Sequence, residues 1–197
     1  KQAVAARRNW FEKAKNPDAI EHIFGLDADD EEARFLTIHN HAETSGKGGP
    51  VEAWNTAAME STGAVLVQMS DDWEPPLHWD KLILDAIGDT NAPKVLAISD
   101  GSRNDNLLCM AIMTRARYLQ QGFMFHPAFF SMYSDDWFTH KAWIDGVVVP
   151  ARHIVFEHLH PAFGKGEMDA TYDRSNDPAR YREGAEILKK LKENQPR

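Results

Sequence analysis

The chain has 197 residues, 43% hydrophobic and 26% charged, a composition that fits one globular domain with a real core and argues against disorder. Its 30 acidic and 22 basic residues give a formal charge of -8, so nothing advertises binding to nucleic acid or to an anionic membrane surface. A single cysteine, Cys109, excludes a disulfide framework and a cysteine-based zinc site. No apolar run nears the ~18 residues of a bilayer span, so a soluble, cytoplasmic protein is expected.

Residues 2 to 15 have the alanine-rich composition of a helix, with Val4, Trp10, Phe11 and Ala14 on one face, and Asn16-Pro17 ends it. Residues 19 to 26 read as a strand running into Asp27, Asp29 and Asp30, and residues 35 to 40 as a short second strand. After the loop TSGKGGP, Pro50 opens a helix that carries Val51, Trp54, Ala58 and Met59 on one side. Gly63 then starts the apolar strand GAVLVQM, which stops at Ser70, Asp71 and Asp72, and Pro75-Pro76 prevents its continuation.

Residues 78 to 88 read as a helix and PKVLAIS as a strand ending at Asp100. LLCMAIM suggests another strand, TRARYLQQG a short helix, and FMFHPAFFSMY an aromatic segment reaching the acid pair Asp135-Asp136. A helix follows in WFTHKAWIDG, then the strand-like VVVPARHIVFEHLH, a loop, and a charged terminal helix opened by Pro178. The alternation predicts an α/β protein with a mostly parallel central sheet and helices on both faces. Asp27, Asp71-Asp72 and Asp100 then fall on one sheet edge, where such folds bind ligands.

Carboxylates suit Mg²⁺ or Mn²⁺, so Asp71 and Asp72 read either as metal ligands or as residues that turn the chain and cap a helix. His158 and His160, two apart in an extended segment, share a face, and one of them could complete a metal site with Asp72. Asp135-Asp136 offers a general base, with a helix cap as the plain alternative. Trp73, Trp79, Trp137 and Trp143 flank the two acid pairs and offer either a sugar-stacking face or packing.

The run GPVEAWNTAAMESTGAVLVQMSDD, from Gly49 to Asp72, resembles the family-two-type glycosyltransferase signature, with Ala53, Asn55, Gly63 and Asp72 at that family's spacing. SDDWF resembles its acidic base motif and EHLHP its late histidine, the order expected of a nucleotide-sugar glycosyltransferase with the Rossmann-like GT-A fold, of a phage-associated type. The resemblance covers most of residues 19 to 161 and implies one catalytic domain over residues 1 to 197. It implies that Asp27, Asp29 and Asp71 contact the nucleotide of a UDP-sugar, and that Asp72 ligates Mn²⁺ (or Mg²⁺), with His158 as a further ligand and His160 as fallback. Asp136 would then deprotonate an acceptor hydroxyl, with inversion, and Asp135 would position the acceptor. Departures are Ser70 in place of the first Asp of the DxD-like motif, Ala142 where an Arg is expected, and no counterpart of the family's first strand. A sheet lacking that strand exposes edges that dimerisation or rearrangement could cover. A non-catalytic nucleotide- or glycan-binding module and a sugar-phosphate nucleotidyltransferase are the competing readings.

Overall fold

The computed structural model describes residues 2–31, 33, 39–166 and 177–195. In chain order the elements are α1 (Gln2–Lys13), β1 (Phe24–Asp27), β2 (His41–Thr44), α2 (Gly49–Glu60), β3 (Val65–Val67), β4 (Trp73–Glu74) and α3 (Trp79–Ile87). There follow β5 (Val95–Ser99), β6 (Ile112–Thr114), α4 (Arg115–Gln121), α5 (Ser134–Ile144), β7 (Val148–Val155), β8 (Glu157–His158) and α6 (Pro178–Glu193). Among the described residues no helix is long and apolar enough to cross a membrane.

The α/β class stands, but the strands form three sheets. The largest has the order β3-β6-β5-β7, with β6 antiparallel to both its neighbours and β5 parallel to β7. β3, β5 and β7 therefore run one way and β6 runs against them. β1 and β2 form a separate parallel pair, and β4 and β8 an antiparallel one.

β5 explains why the largest sheet is stable. Val95, Leu96, Ala97 and Ile98 are all buried, the continuous apolar run of a strand covered on both faces. Alternation sends Val95 and Ala97 into a core with Val51 and Ala58 of α2 and Trp137, Phe138 and Ala142 of α5. Leu96 and Ile98 enter a second core with Trp10 of α1 and Trp79, Ile83 and Ile87 of α3.

Several expected strands are shorter or displaced. Of residues 19 to 26 only those from Phe24 onward pair, because Pro17–Ala19 form a 3-10 turn. The strand expected over 35 to 40 falls largely on residues 35 to 38, outside those described, and the observed partner of β1 begins at His41. In LLCMAIM only Ile112 and Met113 join β6, since the backbone N–H of Leu108 donates to Thr139 Oγ1 rather than to a neighbouring strand. The last strand breaks at Phe156. β7 lies on β5, whereas β8 crosses to β4, and this switch delivers His158 to the strand that follows Asp72.

Two positions of the 49-to-72 motif have clear structural work. Gly49 has φ +64°, and a Cβ there would meet the Phe130 ring at 2.5 Å, so only glycine fits. Asn55 donates to the carbonyl of Phe125 at 2.7 Å and accepts from the N–H groups of Met124 and Phe125 at 2.9 and 3.0 Å. One side chain thus satisfies an irregular backbone segment that has no strand partner of its own.

Candidate functional site

The edge beyond the C-terminal end of β3 is assembled from four stretches of chain. After β3 the chain turns through Ser70, Asp71 and Asp72 into β4, and β8 pairs alongside with Trp73 opposite His158. The N–H of Leu159 donates to the carbonyl of Asp72 at 2.7 Å, which fixes the register around the acid. His158 Nε2 lies 2.9 Å from Asp72 Oδ2, and its ring stacks on the indole of Trp73 at 4.3 Å with 9° between planes. Trp73 is held in turn, because its carbonyl accepts from Trp10 Nε1 at 3.1 Å and the carbonyl of Trp10 accepts from Trp79 Nε1 at 2.8 Å.

Asp72 Oδ1 is shut off from solvent and has no hydrogen-bond partner. An orphaned carboxylate oxygen is costly unless something else completes its coordination. His160 stands beside this pair, its ring 4.9 Å from that of His158, while its Nδ1 accepts from the N–H of Ala162. Burial first, and then the charge of His158, lower the pKa of His160, which favours the neutral imidazole that can ligate a metal. Among the described residues no group of three or more His, Cys, Asp or Glu converges as a complete metal cage. Asp72 and His158 thus offer a partial set of the kind completed by substrate phosphates and water.

Asp100, at the end of β5, adjoins this pair, since its carbonyl accepts from the N–H of His158 at 3.0 Å. Its carboxylate is buried and organises the following loop, accepting from the N–H groups of Ser102 and Arg103 at 2.9 and 2.8 Å, with Cys109 Sγ 3.6 Å away. Burial acts to raise its pKa, but these donors and the nearby His158 outweigh it and hold the carboxyl below the usual range. Burial and the charges of Asp135 and Asp100 push the Cys109 thiol far up, so it is an unreactive core thiol.

The second acid pair occupies the first turn of α5, immediately after Tyr133, whose φ of +68° is unusual for a non-glycine residue. The N–H of Asp136 donates to Asp135 Oδ1 at 3.0 Å. Burial, and next the charge of Asp136, raise Asp135 to about 6, against a smaller opposing pull from Arg103. Asp136 is raised as well, chiefly by burial, with Lys192 and Arg103 acting against the shift. Arg103 is thus the cation whose field reaches both Asp100 and the acid pair of α5, while its guanidinium is tied to Asp105. Sequence reading passes over Arg103. The available signal was its position three residues after a strand-end aspartate, the spacing at which that aspartate collects backbone N–H groups.

The remaining candidates lie elsewhere. Asp27 accepts from Thr44 Oγ1 at 2.9 Å across the β1–β2 pair, and the Asp29 carboxylate packs against Gly46, so neither meets Asp72. Asp71 is exposed and faces the groove between β1 and β3. Of the four flanking tryptophans, Trp73, Trp79 and Trp137 are buried, and only Trp143 keeps a half-exposed face. No protein-family model, curated protein or solved structure matches the chain.

Proposed function

We propose that the chain is a metal-dependent glycosyltransferase that moves a sugar from a UDP-type nucleotide diphosphate to an acceptor hydroxyl with inversion. The observation that carries this reading is the Asp72–His158 pair with its unpartnered, buried carboxylate oxygen, at the edge that also holds Asp100. Asp72 and His158 would hold Mn²⁺ or Mg²⁺, which when bound neutralises charge on a leaving diphosphate. Trp73, stacked on His158, fixes the imidazole plane. On the same reading, the β1–β2 pair and the β3-β6-β5-β7 sheet are two parts of one mostly parallel GT-A arrangement with helices on both faces. Asp27, Asp29 and Asp71 remain the candidates for base and ribose contacts, and a cytoplasmic setting suits the unpaired Cys109.

The base role suits Asp135 better than Asp136. A carboxyl raised to about 6 is ionised at neutral pH while being a stronger proton acceptor than an ordinary aspartate. Asp136 contributes the neighbouring charge that keeps it so.

Calorimetry with UDP and Mn²⁺ tests the reading. Binding that requires the metal and weakens at least about tenfold in Asp72→Ala is expected. Metal-independent binding, or none in the unaltered chain, overturns it. The incomplete protein ligand set also suits a non-catalytic nucleotide-binding module. That second reading gains if UDP and Mn²⁺ bind but no sugar is released or transferred.

A further inference from the structure

We infer that the Arg103–Asp105 pair is the subsite that reads the hydroxyl groups of the transferred sugar, an inference that rests on the glycosyltransferase reading. Both side chains belong to the loop from Asp100 to Leu108, which follows β5. Arg103 Nε donates to Asp105 Oδ1 at 3.1 Å and a second guanidinium nitrogen donates to Oδ2, yet the pair is open to solvent, with side-chain exposures of 36% and 52%. An ion pair this exposed contributes little to stability. The backbone that carries it is nevertheless tied down. Asp100 holds the N–H groups of Ser102 and Arg103, Asp105 Oδ1 accepts from the N–H of Leu107 at 3.1 Å, and the carbonyl of Leu107 accepts from Arg152 of β7 at 3.2 Å. Order of this kind beneath a solvent-facing pair suits recognition, where preorganised partners lose least on binding.

The loop's anchors set the pair between the two halves of the proposed site. At its start the carbonyl of Asp100 accepts from the N–H of His158, and Lys165 Nζ links Ser102 Oγ at 3.1 Å to Glu157 Oε1 at 3.0 Å, next to His158. At its end the N–H of Leu108 donates to Thr139 of α5, about one helical turn beyond the acid pair. Asp136, where burial dominates, also feels the charges of Arg103 and Asp105 with opposite signs. In a transfer whose leaving diphosphate sits on a metal at Asp72 and His158 and whose base is Asp135, the sugar ring occupies the space between them. A phosphate does not suit Arg103, because the carboxylates of Asp100, Asp105, Asp135 and Asp136 all lie within reach of its charge. A sugar hydroxyl does, since it donates to the carboxylate and accepts from the guanidinium at once.

Calorimetry in Mn²⁺ with UDP, UDP-glucose, UDP-galactose and UDP-N-acetylglucosamine tests the inference. These sugars differ in single ring substituents, and in the unaltered chain the tightest is expected to bind at least about tenfold better than the weakest. Asp105→Asn keeps an acceptor for the N–H of Leu107 and so preserves the turn, but removes the charge. It should bring the three sugars together while leaving the affinity for UDP itself unchanged. Arg103→Lys, which keeps the charge and loses the fork, should do the same, and serves should the first variant not fold. Equal affinities across the sugars in the unaltered chain, a spread that survives both substitutions, or a loss of UDP binding in either variant overturns the inference and leaves the glycosyltransferase reading standing. Absence of Mn²⁺-dependent UDP binding in the unaltered chain overturns both.

Discussion

Asp135 sits in the first turn of α5 beside Asp136, where burial and that neighbour's charge raise its carboxyl to about 6. Two consequences have opposite signs. As the proposed base it must be ionised, so the proposed transfer should rise with pH through about 6 and level off above, and Asp135→Asn should lower that turnover by roughly 10²–10⁴-fold while sparing the proposed nucleotide binding. For stability the fold prefers the protonated form. Its contribution is fully present below the ordinary carboxylate pKa and is lost as pH rises through about 6. Asp135→Asn should therefore melt higher than the unaltered chain at neutral pH and alike in acid, a difference that thermal scans at two pH values would measure. A purely structural acid would show the stability change without the loss of turnover.

At the scale of elements, α6 governs the turn that presents this acid pair. A Cβ on Gly184 would come within 2.4 Å of the Met132 carbonyl and 3.0 Å of the Tyr133 ring, so the helix approaches the positive-φ residue as closely as glycine allows. Gly184→Ala is expected to cost about 1–3 kcal/mol in urea unfolding and to reduce the proposed transfer, while leaving the proposed UDP and Mn²⁺ binding at Asp72 unchanged. Nothing in the sequence pointed to this role, since the segment read only as a charged terminal helix and the contact is non-local. Asn55 is the contrasting case. Its spacing marked it within the 49-to-72 motif, but its structural work, satisfying three backbone groups at Met124 and Phe125, depends on a segment about seventy residues away. The strand end at Asp100 was legible because an apolar run stops abruptly there, whereas β3 ends at Val67, five residues short of Asp72. The β4–β8 pair was not legible, because two-residue strands carry no period.

For the whole molecule, the division into a four-stranded sheet and a detached pair sets unequal local stabilities. β5 is paired on both sides, and its Val95 and Leu96 have no exposed surface. Among the described residues β1 and β2 pair only with each other, and both pack on α2. Hydrogen exchange should show β1 and β2 amides opening at much lower free energy than those of β5, as separate cooperative units do. The alternation of apolar strands and helices announced the class, and the continuous apolar run of VLAIS fits a strand covered on both faces. The break between β1 and β3 could not be read from either strand, because which edges meet is a property of pairing and not of any segment's composition.

The three indoles that run from α3 through α1 to β4 give these separate features a common consequence. Trp79 donates to Trp10, which lines the groove, and Trp10 donates to Trp73, which carries the His158 ring. A displacement of α1 therefore acts, through these two hydrogen bonds, on the strand next to Asp72. Trp10→Phe, which removes the donor to Trp73, should weaken the proposed nucleotide and Mn²⁺ binding with Asp72 and His158 unaltered, a loss that calorimetry would measure.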